Sequence, residues 1–242
     1  MKIKKPEIVF FDLDNTLYNY NTSHAAALTH LKLKVKTLLN INSDEFDVLY
    51  LKAKKIVKSQ LGSTASSHSR LLYFQKLIEL RGLGSQPLMA LDFEQTYWNN
   101  FLSNAELCDG VIEVFDEFRL NGVKIGLITD LTSTIQFRKI IFFGLDHFFD
   151  CIVTSEEIGQ DKPNKDCFLN ATKKLGITSI EQTNIWMIGD DELKDLEGAK
   201  NVLNANTLHF NRFVSKRKSS LKFDFVFDDY NSLLKLIKNV FN

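Results

Sequence analysis

The stretch Ile8-Val9-Phe10-Phe11-Asp12-Leu13-Asp14-Asn15-Thr16 decides the fold. Ile8 to Phe11 are β-branched or aromatic without a break, the pattern of a strand buried on both faces of a parallel sheet. So apolar a strand needs a reason to end in two carboxylates one residue apart. Alternation puts Asp12 and Asp14 on the same side of an extended chain. Like charges that close repel each other, and a bound cation is the usual remedy.

Downstream of Thr16 the pattern turns helical. Thr22 to Leu39 carries apolar residues at helical spacing with lysines between them. Ser43 to Ser59 reads as a second helix with Ser43 as its N-cap. After the polar loop 62–69, helices are expected near Arg70–Arg81 and Asp92–Leu102. From about residue 108 helices and strands alternate. Helices are predicted at Val111–Asn121, Thr134–Phe143, Asp166–Leu175, Asp195–Asn201 and Asn231–Phe241. Strands are predicted at Val123–Thr129, Cys151–Ser155, Ile185–Gly189, Thr207–Phe210 and Phe225–Phe227. This is an α/β chain with a Rossmann-like parallel sheet core, formed by residues 1–16 and 106–242. An all-helical domain, residues 17–105, is inserted after the first strand. An insertion at that point rises from the carboxyl ends of the strands, where a lid belongs.

The chain has 242 residues, 44% of them apolar, enough for a sizeable core. Lys and Arg together number 30, as do Asp and Glu, so net charge argues for neither a nucleic-acid nor a membrane partner. The one basic stretch, Lys216-Arg217-Lys218, reads as a solvated loop. Cys108, Cys151 and Cys167 are widely spaced, which disfavours zinc and disulfides and fits reduced thiols in the cytoplasm. There is no signal-peptide pattern and no apolar run long enough to span a bilayer. Oligomeric state leaves no trace in the sequence.

Three apolar strands end in polar groups. After Asp12 and Asp14 come Thr129-Asp130 at the end of the second strand and Asp190-Asp191, then Asp195, after Ile185–Gly189. The loop Gly159-Gln160-Asp161-Lys162-Pro163-Asn164 lies between the last two. Singly, an aspartate or threonine after a strand is more often a cap, and a loop lysine is most often solvated. In this order, on one edge of a sheet, they support one another.

The ordered set resembles the haloacid dehalogenase superfamily, whose phosphatases work through an aspartyl-phosphate. Asp12-Leu13-Asp14-Asn15-Thr16 matches its first motif, Thr129 its second and Lys162 its third. Gly189-Asp190-Asp191 with Asp195 matches its fourth, and the Gly198-Ala199 pair fits as well. The helical insertion resembles the family's C1-type cap domain.

The resemblance implies Asp12 as nucleophile and Asp14 as general acid and base. It implies Mg²⁺ held by Asp12, the backbone carbonyl of Asp14, and Asp190, with Asp191 and Asp195 in support. Thr129 and Lys162 would bind the phosphoryl group of a small phosphorylated metabolite. In the cap, His68 and Arg70 are candidates for substrate choice, Arg70 by clamping a second anionic group. The alternative for Arg70 is a surface residue opening a helix. Tyr18, Asn19 and Tyr20 are candidates for a small flap, with Tyr18 equally readable as a core aromatic. Asn15 stands where Gly is common, and Asn tolerates such a turn. Asp130 stands where Asn is frequent; a carboxylate there must point away or cap the next helix. Other expectations on this scaffold are a phosphomutase, which would keep every motif residue, or a non-catalytic module, which would be expected to lack one. A dehalogenase needs neither Asp14 nor Asp190.

Overall fold

The computed structural model describes residues 3–213 and 222–242; the basic stretch 216–218 lies outside them. The chain divides into two compact units, one of Met1–Asn19 with Glu106–Asn242 and one of Tyr20–Ala105.

In the first unit, β1 (Ile8–Phe11) is the central strand. In the second, the chain forms α1 (Tyr20–Leu39), α2 (Ser43–Leu61), α3 (Arg70–Leu80) and α4 (Pro87–Ser103). The cap of α2 is Asn42, whose side chain accepts from the Glu45 N–H, and not Ser43. α4 begins a turn before Asp92, because Pro87 has no N–H to lose in a first turn. The interior of this unit is aromatic: Tyr50, Tyr73, Phe74, Phe93, Tyr97 and Phe101 are all buried.

Returning to the first unit, the chain runs through α5 (Val111–Leu120), β2 (Lys124–Thr129), α6 (Ser133–Phe142) and β3 (Cys151–Thr154). It continues through α7 (Ser155–Ile158), α8 (Lys165–Lys174) and β4 (Ile185–Gly189). A π-helical turn over Glu192–Glu197 leads into α9 (Gly198–Leu203), then β5 (Asn206–Phe210), β6 (Phe225–Phe227) and α10 (Tyr230–Phe241). Alternation in the sequence did not resolve α7, a single helical turn, or the wide turn before α9.

All six strands are parallel, in the order β3-β2-β1-β4-β5-β6. Phe10 in β1 is fully buried and needs a glycine opposite it. A Cβ on Gly126 would lie 2.6 Å from the Phe10 ring and 2.9 Å from the Cys151 Sγ. Phe168, Met187 and Leu196 share the core on that side. Among the described residues no helix is long and apolar enough to cross a membrane.

Candidate active site

Strand order locates the site. From β1 the chain builds outward through β2 and β3, then crosses to the other side of β1 to form β4. At such a reversal the loops leave in opposite directions and a crevice opens at the carboxyl ends of the strands. Phe11 is in register with Leu127 of β2 and Ile188 of β4. Asp12, Thr129 and Asp190 therefore emerge at the same edge. The Asp12 N–H still donates to the Ile188 carbonyl at 2.9 Å, which fixes where its side chain starts.

Carboxylate oxygens of Asp12, Asp190 and Asp195 lie within 4.8 Å of one another. The Thr16 hydroxyl donates to Asp12 Oδ2 at 3.1 Å and lies 3.5 Å from Asp190 Oδ1. Lys162, only 3% exposed, donates to Asp12 Oδ1 at 2.6 Å, to Asp195 Oδ1 at 2.7 Å and to the Ile128 carbonyl at 2.8 Å. One ammonium is thus shared by two of the three clustered acids. Burial pushes the Asp12 carboxyl up to about 7 and the Asp190 carboxyl up to about 9, with the neighbouring acids adding to the rise and Lys162 opposing it. Burial also raises Asp195. A buried cluster of hard oxygen donors, short of positive charge, fits a divalent cation.

Two glycines make the cluster possible. A Cβ on Gly189 would lie 2.4 Å from Asp195 Oδ2, so only glycine lets that carboxylate lie over the end of β4. A Cβ on Gly198 would meet the Phe168 ring at 2.8 Å and Pro163 at 3.0 Å, so this glycine admits the loop that carries Lys162. Asn15 holds the turn with φ 64°, an angle Asn tolerates.

Asp191 and Asp195 differ in placement. Asp195 is buried, while Asp191 is exposed and its side chain accepts from the N–H groups of Leu193 and Lys194. The Asp191 backbone N–H donates to Asp195 Oδ2 at 3.1 Å. Asp191 therefore holds the turn that presents Asp195.

Thr129, buried at the end of β2, accepts from Gln136 Nε2 at 2.6 Å. The same amide donates to the Asp130 carbonyl at 2.7 Å and lies 3.4 Å from Asp14 Oδ2. Asp14 also accepts from the Tyr18 hydroxyl and from Lys139, whose Nζ lies 2.7 and 2.9 Å from its two oxygens. Tyr18 is a wholly buried aromatic packed on Phe143, not a flap. Asp130 does not cap α6, whose N-cap Thr132 makes no side-chain capping bond. It accepts from the Lys162 N–H at 2.9 Å and pairs with Lys194 at 2.8 Å. The carboxylate is turned into the loop and its charge is matched.

Sequence reasoning passed over Gln136, Lys139, Tyr230 and His209. The Tyr230 hydroxyl donates to the Thr16 carbonyl at 3.0 Å, and His209 Nε2 lies 3.1 Å from the Asp190 carbonyl. Gln136 and Lys139 had a signal: polar residues three apart on one face of a helix that follows a motif strand. Tyr230 and His209 had none, since each acts on the backbone of a distant segment.

His68 and Arg70 belong to the helical unit. Arg70 is 8% exposed and not a surface residue. Its guanidinium donates to the Tyr20 hydroxyl and the His68 carbonyl and lies over the rings of Tyr73, Tyr97 and Trp98. Among the described residues it has no carboxylate partner, and its Nε is buried without a hydrogen bond.

A family model described as haloacid dehalogenase-like hydrolase matches residues 9–207. The chain is 35% identical to a ribulose-1,5-bisphosphate 5-phosphatase of Halopiger xanaduensis over 195 residues, 80% of each chain. It is 28% identical to a glyceraldehyde 3-phosphate phosphatase of Methanocaldococcus jannaschii over 235 residues, 96% of this chain and 97% of that protein. Its fold matches the crystal structure of a HAD-hydrolase, YfnB of Bacillus subtilis, bound to magnesium. The TM-score is 0.72 at 20% identity, covering 97% of this chain and all of the other.

Proposed function

The chain belongs to the haloacid dehalogenase-like hydrolases, and on that premise we propose that it is a divalent-metal-dependent phosphatase of a small phosphorylated metabolite. The observation that carries the reading is the Asp12 carboxylate, held by Lys162 and Thr16 within reach of Asp190. A phosphate monoester repels an attacking carboxylate, so catalysis needs charge neutralisation and alignment before anything else.

Asp12 attacks phosphorus, the bond from phosphorus to the leaving oxygen breaks, and Asp14 gives that oxygen a proton. In the second half-reaction Asp14 takes a proton from water, and the water oxygen attacks the aspartyl-phosphate. Inorganic phosphate leaves and the Asp12 carboxylate is restored. Thr129 and Lys162 hold the phosphoryl oxygens, Lys162 balancing their charge. The Asp12 and Asp190 carboxylates with the Asp14 backbone carbonyl would hold Mg²⁺, which supplies charge neutralisation between nucleophile and phosphate. Asp195 keeps Lys162 in place, and Asp191 keeps Asp195.

The named relatives support a narrower substrate class. Both act on short sugar phosphates, so a three- to five-carbon sugar phosphate is the proposed substrate. In the helical unit Arg70 is proposed to recognise a second anionic group, being a buried cation with no acid paired to it among the described residues, and the neighbouring His68 to take part in substrate choice. The cytoplasm is the proposed compartment, in keeping with three free cysteines.

The test is phosphate release from a panel that includes ribulose 1,5-bisphosphate and glyceraldehyde 3-phosphate, with Mg²⁺ or with EDTA. Turnover with Mg²⁺, lost with EDTA and lost in Asp12→Asn, is the expected result. Release that survives in Asp12→Asn would remove the nucleophile. Exchange of phosphate between sugar positions without free phosphate would point to a mutase.

A further inference from the structure

Lys139 has no part in the reading above, yet it is the most deeply buried cation beside the site, with 0% exposure. A lysine on a helix ordinarily lays its stem along the surface and keeps its ammonium in water. Putting that charge inside costs several kcal/mol unless a partner in good geometry offsets it. Here the partner is the Asp14 carboxylate, both oxygens of which lie within 2.9 Å of Nζ. Asp14 is the less buried of the two, its side chain 24% exposed. The lysine is thus committed to the acid, while the acid keeps an opening toward solvent.

Two further groups act on the same carboxylate. The Tyr18 hydroxyl donates to Oδ1, and the Tyr18 ring lies 5.9 Å below the ammonium. Gln136 Nε2 lies 3.4 Å from Oδ2 and donates to Thr129 at 2.6 Å. Gln136 and Lys139 are three residues apart and so share one face of α6. That face sets both the threonine that would bind the phosphoryl group and the carboxyl that would move the proton.

We infer that Lys139 is the positioning residue for Asp14, with Tyr18 and Gln136 assisting. The inference rests on the phosphatase reading and deepens it. Lys139 touches no reacting atom; it holds the Asp14 carboxyl where its proton meets the leaving oxygen. When the bond to phosphorus breaks and the proton passes to that oxygen, the carboxylate left behind meets an ammonium already in place. A donor fixed beforehand need not reorganise during the step. The same hold aims the carboxylate at water in the second half-reaction.

The test separates proton delivery from general integrity. p-Nitrophenyl phosphate releases a stable anion and needs little help from an acid, whereas phenyl phosphate needs a proton on its leaving oxygen. For Lys139→Met, kcat/KM on phenyl phosphate should fall at least about tenfold more than on p-nitrophenyl phosphate, a fraction of what a positioned acid contributes. Lys139→Arg should restore most of the difference. Equal losses on the two esters, or no loss, would overturn the role. Lys139→Gln, which keeps a donor without the charge, runs the same comparison if the Met variant does not fold. A wild-type chain that releases phosphate neither from these esters nor from the sugar phosphates would instead refute the phosphatase reading.

Discussion

Asp195 occupies the space that a side chain on residue 189 would need: a Cβ on Gly189 would lie 2.4 Å from Asp195 Oδ2. The same carboxylate holds Lys162 at 2.7 Å. Gly189→Ala should therefore displace Asp195 and loosen the ammonium. Overpacking of this kind costs roughly 1–3 kcal/mol, and kcat/KM on p-nitrophenyl phosphate should fall by about tenfold or more. A melting curve and a rate assay check both, and an alanine variant equal to wild type in each would refute the link.

The acidic cluster makes metal-free stability depend on pH. Burial first, then the neighbouring acids, raises Asp12 to about 7 and Asp190 to about 9, both above the ordinary aspartate value of 3.8. A carboxyl raised in the folded state contributes its stability in full below the unfolded value, and that stability is lost as pH climbs through the folded value. The metal-free chain should therefore lose stability from these groups between about pH 4 and pH 9. Metal takes the place of the departing protons. The rise in melting temperature on adding Mg²⁺ should be larger at pH 9 than at pH 6. An equal rise at both, or none, would count against these ligands. For the same reason Asp12→Asn, although expected to be inactive, should melt no lower than wild type at pH 8 without metal.

The helical unit carries a shift of opposite sign. Burial, aided by the charge on Arg70, lowers His24 from 6.5 to about 3, and the ring stays neutral beside the Tyr97 hydroxyl at 2.6 Å. A base lowered in the folded state contributes stability above its unfolded value, and that is lost as pH falls toward the folded value. Between about pH 6.5 and pH 4, wild type should lose up to about 1.4 kcal/mol per pH unit more than His24→Gln. Denaturant titrations at several pH values measure the difference, and parallel slopes would exclude His24 as the cause.

Arg70 joins stability to choice of substrate. Arg70→Ala removes the donor to Tyr20 and leaves a hole under Tyr73, Tyr97 and Trp98. A loss of about 2–4 kcal/mol is expected. Arg70→Met keeps most of the volume and isolates the charge. It should lower kcat/KM for a bisphosphorylated sugar more than for an aryl phosphate. The same ratio of the two in variant and wild type would confine Arg70 to packing.

From sequence alone this protein's sheet, its strand ends and the Asp12, Asp14, Thr129 and Asp190 found there were legible, because each rests on local pattern; Lys162, a loop lysine, was singled out only by its place in the ordered set that resembles the family. An unbroken apolar run makes a buried strand, and a polar group just past it must lie at the sheet edge. Tertiary structure alone decided which of Asp191 and Asp195 turns inward, where Asp130 points, and that Arg70 lies inside its unit. It alone brought Lys139 and Gln136 of α6 to Asp14, more than a hundred residues away in the chain. Periodicity can say that a side chain faces inward; what it meets there depends on how two distant elements approach, and no local pattern encodes that distance.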